Sequence, residues 1–297
     1  MSVFVPCGLC GAEDFELRFP GAIDDSKNAK LHFSSSRQSA LHYDVVCCSR
    51  CGLLLENPRD DQPVLAEVYA GLRDDVYDGD ARNRHAAAAD YLRLVRGEHA
   101  PPARLLDLGC GTGYFAASAS AAGYEVQGAD PSSWSIERAR QRCARATFAV
   151  SSLEAFEPQS PLDVVTLWDV LEHVHSPRAA LSHVHSWLEP GGLLLMSMPN
   201  AESLVARALA SRWVLLLREH LWYFSPSTIA RLLDECGFEL VRVAPKWVSS
   251  TLAHVVHRLS QREGAHPFLA RWSRATPLKQ IALRFPIGEM NVVARKR

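Results

Sequence analysis

The chain has 297 residues, 47% hydrophobic and 22% charged, which excludes a mostly disordered protein and suits one main domain with a small module. Thirty-two Lys and Arg against 33 Asp and Glu leave a net charge of -1, so no overall positive field draws the chain to a phosphate backbone, and nucleic acid is not an expected partner. No apolar run nears the roughly 20 residues of a bilayer crossing, and residues 1–7 lack a basic stretch followed by an apolar one, so a cytoplasmic protein is expected.

Two C-x-x-C pairs come first, Cys7 with Cys10 and Cys48 with Cys51, each followed by glycine. In a reducing compartment such pairs suit a structural Zn²⁺ held by four thiolates at about 2.3 Å. Cys48, not its neighbour Cys47, keeps the two-residue gap to Cys51. Residues 1–58 are short and polar, so metal binding must supply most of their folding free energy, on the order of 10–16 kcal/mol in zinc-finger peptides. They are predicted to form a zinc-ribbon module. Residues 59–102, rich in Ala, Tyr, Arg and Glu, read as a helical cap or linker with a helix over 86–95. Pro101-Pro102 then opens the main domain, 103–297.

There, short apolar runs alternate with helical patterns. Strands are predicted over 104–108, 124–130, 147–150, 163–168, 193–198, 238–243 and 291–294. Helices are predicted over 114–122, 133–145, 177–188 and 227–236. This alternation implies an α/β fold: a mostly parallel, Rossmann-like sheet with helices on both faces. Before the last strand, 251–285 carries six cations, Arg258, Arg262, Arg271, Arg274, Lys279 and Arg284, against Glu263 alone. It reads as a basic amphipathic insertion, suited to an anionic lipid surface or a phosphorylated substrate, or as a solvated helix over the sheet.

The most informative segment is the turn after the first strand, with Asp107, Gly109, Gly111 and Gly113. Glycines there let the main chain approach a ligand closely. A dinucleotide fold would need glycine where Tyr114 stands, and a carboxylate ahead of the loop repels a pyrophosphate. Asp130, followed by Pro131, ends the second strand, where an acid can accept from both hydroxyls of a ribose. The ligand therefore reads as a nucleoside with a cationic tail and no phosphate, which S-adenosylmethionine satisfies.

On these residues, together with 163–174 and the turn at Glu189, Pro190, Gly191 and Gly192, the chain resembles the class I S-adenosylmethionine-dependent methyltransferases. The resemblance covers about 103–243 and the strand at 291–294. It implies a seven-stranded sheet in the order 3-2-1-4-5-7-6 with the seventh strand antiparallel. It also implies that Asp107, Gly109, Gly111, Gly113, Asp130, Pro131, Ser152, Leu153 and Trp168 contact the cofactor, with Ser152 and Leu153 flanking the adenine. A zinc ribbon ahead of this domain is similar to bacterial sugar C-methyltransferases, whose additional C-terminal domain the resemblance does not reach.

Methyl transfer is an in-line displacement at an activated carbon, so alignment matters most, with a base where the nucleophile carries a proton. The resemblance marks the Glu219-His220 pair for acid–base work, and His173 follows the fourth strand close to the expected sulfonium. Each histidine also has a plain structural reading, and His175, His183 and His185 read as solvated. Trp222, Tyr223 and Phe224 form either an aromatic substrate wall or core. Tyr69, Tyr77 and Arg84 lie in the cap. The expected enzyme is a small-molecule methyltransferase whose acceptor is a sugar, sugar nucleotide, or glycan or natural-product precursor. The alternatives are an O-methyltransferase of a quinone-like or polyketide hydroxyl and, in another class, a zinc-ribbon RNA binder or a silent scaffold.

Overall fold

The computed structural model describes residues 2–23, 42–251 and 282–297. The N-terminal segment forms five short strands, β1 (Ser2–Val3), β2 (Phe15–Phe19), β3 (Val45–Cys48), β4 (Leu54–Glu56) and β5 (Arg59–Asp60). Three helices follow, α1 (Gln62–Ala70), α2 (Asp75–Gly79) and α3 (Ala81–Glu98). The Asp61 carboxylate caps α1 by accepting from the Gln62 amide at 2.8 Å. The α/β unit runs β6 (Arg104–Leu108), α4 (Tyr114–Ala121), β7 (Glu125–Asp130), α5 (Ser133–Arg142), β8 (Thr147–Val150), β9 (Leu162–Trp168), α6 (Pro177–Trp187) and β10 (Leu188–Pro199). It continues with α7 (Leu204–Leu209), β11 (Trp222–Tyr223), α8 (Pro226–Glu235), β12 (Phe238–Thr251) and β13 (Ala282–Lys296).

Seven strands pair in the order β12-β13-β10-β9-β6-β7-β8, and β13 runs antiparallel to both its neighbours, as expected. The other pairings, β10–β9, β9–β6, β6–β7 and β7–β8, are parallel. The central strands are apolar on both faces because helices cover both: Leu105, Leu106, Val164, Val165, Leu194 and Leu195 are all fully buried. The cores of α6 and α8 start at a serine cap followed by proline, Ser176-Pro177 and Ser225-Pro226, whose preset φ suits a first helical turn.

Two elements differ from expectation. First, β12 and β13 run well past the sheet core, pairing from Phe238↔Lys296 out to Thr251↔Ala282. Pro245, Pro286 and Gly288 suggest breaks in the sequence. An irregular register between Pro245 and Trp247 lets the pair continue past them. The basic segment expected over 251–285 therefore contributes its ends to these strands, and residues 252–281 lie outside the described set. Second, the N-terminal sheet is four-stranded, in the order β11-β4-β3-β2, so its outermost strand comes from residues 222–223 of the main domain. One apolar core runs from Cys7, Leu9 and Leu55 through Trp222 and Phe224 to Leu106 and Val165. Trp222, Tyr223 and Phe224 are core and not a substrate wall, each at most 1% exposed.

Candidate active site

A cleft of about 1630 Å³ opens at the carboxyl ends of β6, β7, β8 and β9, roofed by α1 and α3. Its two ends have different chemistry.

At one end the main chain turns through Gly109, Gly111 and Gly113, all at positive φ. A Cβ on Gly109 would lie 2.5 Å from Val170, and one on Gly113 2.8 Å from Ala139, so both glycines let the loop pack closely. Gly111 faces open space instead. Asp130 ties this turn to β7: its carboxylate accepts from the Gly111 amide at 3.0 Å and from the Ser132 amide at 2.9 Å. Each bond uses one lone pair and leaves capacity for a ligand hydroxyl. Burial raises the Asp130 carboxyl above its ordinary range. Asp107 lies beneath the turn, 2% exposed, accepting from the Thr166 hydroxyl at 2.9 Å. Burial, reinforced by the nearby Asp130 charge, pushes it up to about 7. Gly109, Gly111, Asp130, Pro131, Ser152, Leu153 and Trp168 all line the cleft, whereas Asp107 and Gly113 sit behind its surface. Trp168 stacks on Tyr91 of α3, with ring centroids 4.0 Å apart and planes 8° apart. A buried acid, Asp107, and a half-buried one, Asp130, at a glycine turn fit a ligand with a cationic tail and a ribose.

At the other end stand His173, Glu219 and His220, with Glu172 beside them. His173 Nδ1 is 2.7 Å from the Glu219 carbonyl and 2.9 Å from the Tyr69 hydroxyl. His220 Nδ1 is 2.8 Å from the Leu215 carbonyl. A carbonyl only accepts, so each ring carries its proton on Nδ1 and keeps the lone pair on Nε2. The two rings lie 4.8 Å apart, centroid to centroid. Burial lowers the His173 pKa, and burial followed by the neighbouring His173 lowers His220 to about 3. Glu172 is 1% exposed with neither carboxylate oxygen hydrogen-bonded, and burial raises it far above the ordinary carboxylate range. One donor atom from each of Glu172, His173 and His220 lies within 4.8 Å of the others, a spacing that could hold a small cation. Val205, Leu209, Val214, Trp247 and Phe285 add apolar surface to the same cleft, which Arg84, Arg242 and Arg284 also line.

Between the two ends, Lys246 of β12 reaches in and bonds both oxygens of Asp169, at 2.8 and 2.7 Å, and Glu289 at 3.1 Å. Burial is the largest influence on Asp169 and pushes it up, but the Lys246 charge and hydrogen bonds from Lys246 and Ser197 together bring it below its ordinary value, and Asp169 with Glu289 raises the lysine against its own burial. Asp169 lies in the 163–174 segment that the sequence singles out, whereas Tyr91, Lys246 and Glu289 come from three distant elements and form no motif in the sequence. His175, expected in solvent, lines the cleft, as do Tyr69 and Arg84. The Tyr77 side chain lies outside the described set.

Away from the cleft, the Sγ atoms of Cys7, Cys10, Cys48 and Cys51 come together, with Cys7–Cys51 and Cys10–Cys48 at 3.5 Å. Four thiolates at about 2.3 Å from a tetrahedral Zn²⁺ would stand roughly 3.8 Å apart, so the cluster is close to the right size. The two knuckles are built alike: Gly11 donates to the Cys7 carbonyl at 2.8 Å and Gly52 to the Cys48 carbonyl at 2.9 Å. Cys47 points elsewhere, toward the Cys48 carbonyl.

A methyltransferase-domain family profile matches residues 80–243, the segment that carries α3, the glycine turn, Asp130 and His173. The chain is a class I S-adenosylmethionine-dependent methyltransferase. As such it resembles curated relatives named ubiquinone biosynthesis O-methyltransferase. One, from Bradyrhizobium diazoefficiens, is 28% identical over 189 residues, 57% of this chain and 74% of the relative. Another, from Ruegeria pomeroyi, is 32% identical over 151 residues, 46% and 60% of the two chains. The methyltransferase fold recurs in the solved magnesium protoporphyrin IX methyltransferase of Synechocystis with bound SAH, at TM-score 0.53 and 16% identity over 80% of this chain and 100% of that one. The N-terminal module lies outside the family match. Among the described residues, no helix is long and apolar enough to cross a membrane.

Proposed function

We propose that this methyltransferase methylates a hydroxyl oxygen on a small acceptor with an apolar body, and that His173 takes the hydroxyl proton. The observation that carries the reading is a neutral imidazole, pinned through Nδ1 to a main-chain carbonyl, in the same cleft as these apolar side chains and the cofactor turn. S-adenosylmethionine, when bound, supplies an electrophilic methyl on a positively charged sulfur. We assign Gly109, Gly111, Pro131, Ser152, Leu153 and Trp168 to its binding surface, with Asp130 accepting from the ribose. Asp107 and Gly113 act from behind that surface, Asp107 by its charge and Gly113 by letting the turn pack on α5.

A hydroxyl that becomes an ether must lose its proton, and a positioned base contributes about 10²- to 10⁴-fold. His173, kept neutral by burial, has a free lone pair on Nε2 for that proton. His220 is pushed too low to hold a proton at neutral pH, so it shapes the base's surroundings together with Glu219. The relatives' O-methyltransferase names support oxygen as the nucleophile. A sugar finds support in the Glu219-His220 segment, whereas side chains such as Val205, Val214 and Phe285 favour an acceptor with an apolar body. We further assign one structural Zn²⁺ to Cys7, Cys10, Cys48 and Cys51.

The test is transfer of isotope-labelled methyl from S-adenosylmethionine to a panel of phenols and catechols, aliphatic alcohols and sugar nucleotides. Labelled ethers of the aromatic hydroxyls are expected. Labelling confined to sugar nucleotides, or on carbon, overturns the reading.

A further inference from the structure

The turn that anchors His173 is gripped from behind by the N-terminal segment. Arg218 forks onto Asp60, Nε to Oδ2 at 2.6 Å and Nη2 to Oδ1 at 2.7 Å, and Nη2 also donates to the Tyr43 hydroxyl at 3.1 Å. Asp60 is 2% exposed. A forked guanidinium–carboxylate pair fixes direction as well as distance. The residue after Arg218 is Glu219, whose carbonyl meets His173 Nδ1. Main-chain bonds hold the following residues: Glu56 donates to the Leu221 carbonyl at 3.1 Å, Leu221 to the Glu172 carbonyl at 2.9 Å, and β11 pairs with β4. Within the turn the Tyr223 hydroxyl meets the Leu217 amide and carbonyl, each at 3.2 Å, and His220 meets the Leu215 carbonyl, so the fork is the side-chain tie that reaches the turn from the N-terminal segment.

His173 Nδ1 has two neighbours of different character. The Glu219 carbonyl can only accept, which keeps the proton on Nδ1. The Tyr69 hydroxyl, 2.9 Å away, can also donate. If the carbonyl withdraws, Tyr69 can give a hydrogen bond to Nδ1, and the ring's single proton then belongs on Nε2. That tautomer has no lone pair left to take a proton from an acceptor. The place of one carbonyl therefore selects which nitrogen is basic.

We propose that the Asp60–Arg218 pair is a positioning device for the active site: it seats the Glu219 carbonyl under His173 and so holds the lone pair on Nε2. This rests on the reading of His173 as the proton acceptor, and the experiment separates the two. Full-length chain is labelled at the histidine nitrogens and studied by NMR, with His173→Gln supplying the assignment. Two variants are compared with the natural chain. Arg218→Lys retains the charge without the fork, and the double variant Asp60→Asn with Arg218→Gln replaces the ion pair by a neutral one.

The natural chain should show His173 protonated on Nδ1. The variants should show a mixture of tautomers and lose about 10- to 100-fold in turnover with the best acceptor of the panel. Their dissociation constant for S-adenosylmethionine should stay within about twofold of the natural chain's. A folded variant whose His173 stays wholly protonated on Nδ1 overturns the positioning role, whatever its activity. Should the double variant fail to fold, Arg218→Lys decides alone. Full turnover by His173→Gln would remove the base reading, while the tautomer measurement would still decide what the pair does to the ring.

Discussion

The two ends of the cleft are built on opposite plans. The cofactor end takes most of its groups from the turn after β6 and the end of β7, where main-chain amides hold the half-buried Asp130 and Asp107 lies buried beneath. The acceptor end takes a residue or two from each of several distant segments: Tyr69 from α1, Glu172 and His173 after β9, Glu219 and His220 before β11, and Trp247 and Phe285 from β12 and β13. A site made by local main chain should tolerate distant disturbance. A site assembled from side chains on many elements should fail when any one of them shifts.

The strongest way to break this contrast is to remove the thiol cluster. Chelation, or Cys48→Ser, should release about one zinc per chain and take away a folding contribution on the order of 10 kcal/mol. β4 then loses its support, β11 loses its partner, and the turn at 217–220 loses Asp60. Acceptor methylation should fall below detection, while calorimetry should find a distinctly smaller loss of S-adenosylmethionine affinity, although the shared core reaches Leu106 and Leu108 beneath the turn. Equal loss of both would mean that the ends do not stand on separate supports.

A smaller effect comes from the cofactor end itself. Asp130→Ala removes a charged acceptor worth about 1.5–3 kcal/mol, so the S-adenosylmethionine dissociation constant should rise about 10- to 100-fold. The acceptor KM should barely move. If His173→Gln weakened the cofactor as much, the division of roles would be wrong.

The smallest is a pH effect. Asp107 is pushed up to about 7, by burial first and then by Asp130. A bound cation favours its ionised form, so S-adenosylmethionine should bind more tightly as pH rises through about 7, releasing a proton. In the free enzyme the sign is opposite. The unfolded carboxyl ionises near about 4, so this raised group progressively destabilises the fold as pH climbs from there toward its folded value. Titration calorimetry in two buffers of different ionisation enthalpy measures the proton. Asp107→Asn should abolish the pH dependence of binding, and an unchanged slope would move the effect to another group.

Much of the cofactor end was legible because its requirements are local. A turn needing positive φ asks for glycine, and an acid at the end of β7 ties that turn through the Gly111 amide, so 107–113 and Asp130 carry the message in short segments. The C-x-x-C spacing was legible for the same reason, since the geometry of each knuckle lies within five residues. The acceptor end was not. Glu219 and His220 were found, but the sequence could not say that Leu215 and Glu219 would offer carbonyls to the two rings. Nor could it tell that Trp222 would leave the cleft to pair with Leu55 and join the core.

The sequence by itself determined the alternation of strands and helices, the cofactor turn and the two cysteine knuckles, because short-range sterics and hydrogen bonding dictate each of them. Tertiary structure alone decided that β11 completes the N-terminal sheet, that Arg218 meets Asp60, and which nitrogen of His173 is free. Those outcomes depend on where residues far apart in the chain are brought together. That placement follows from burying one shared core, and no local pattern encodes it.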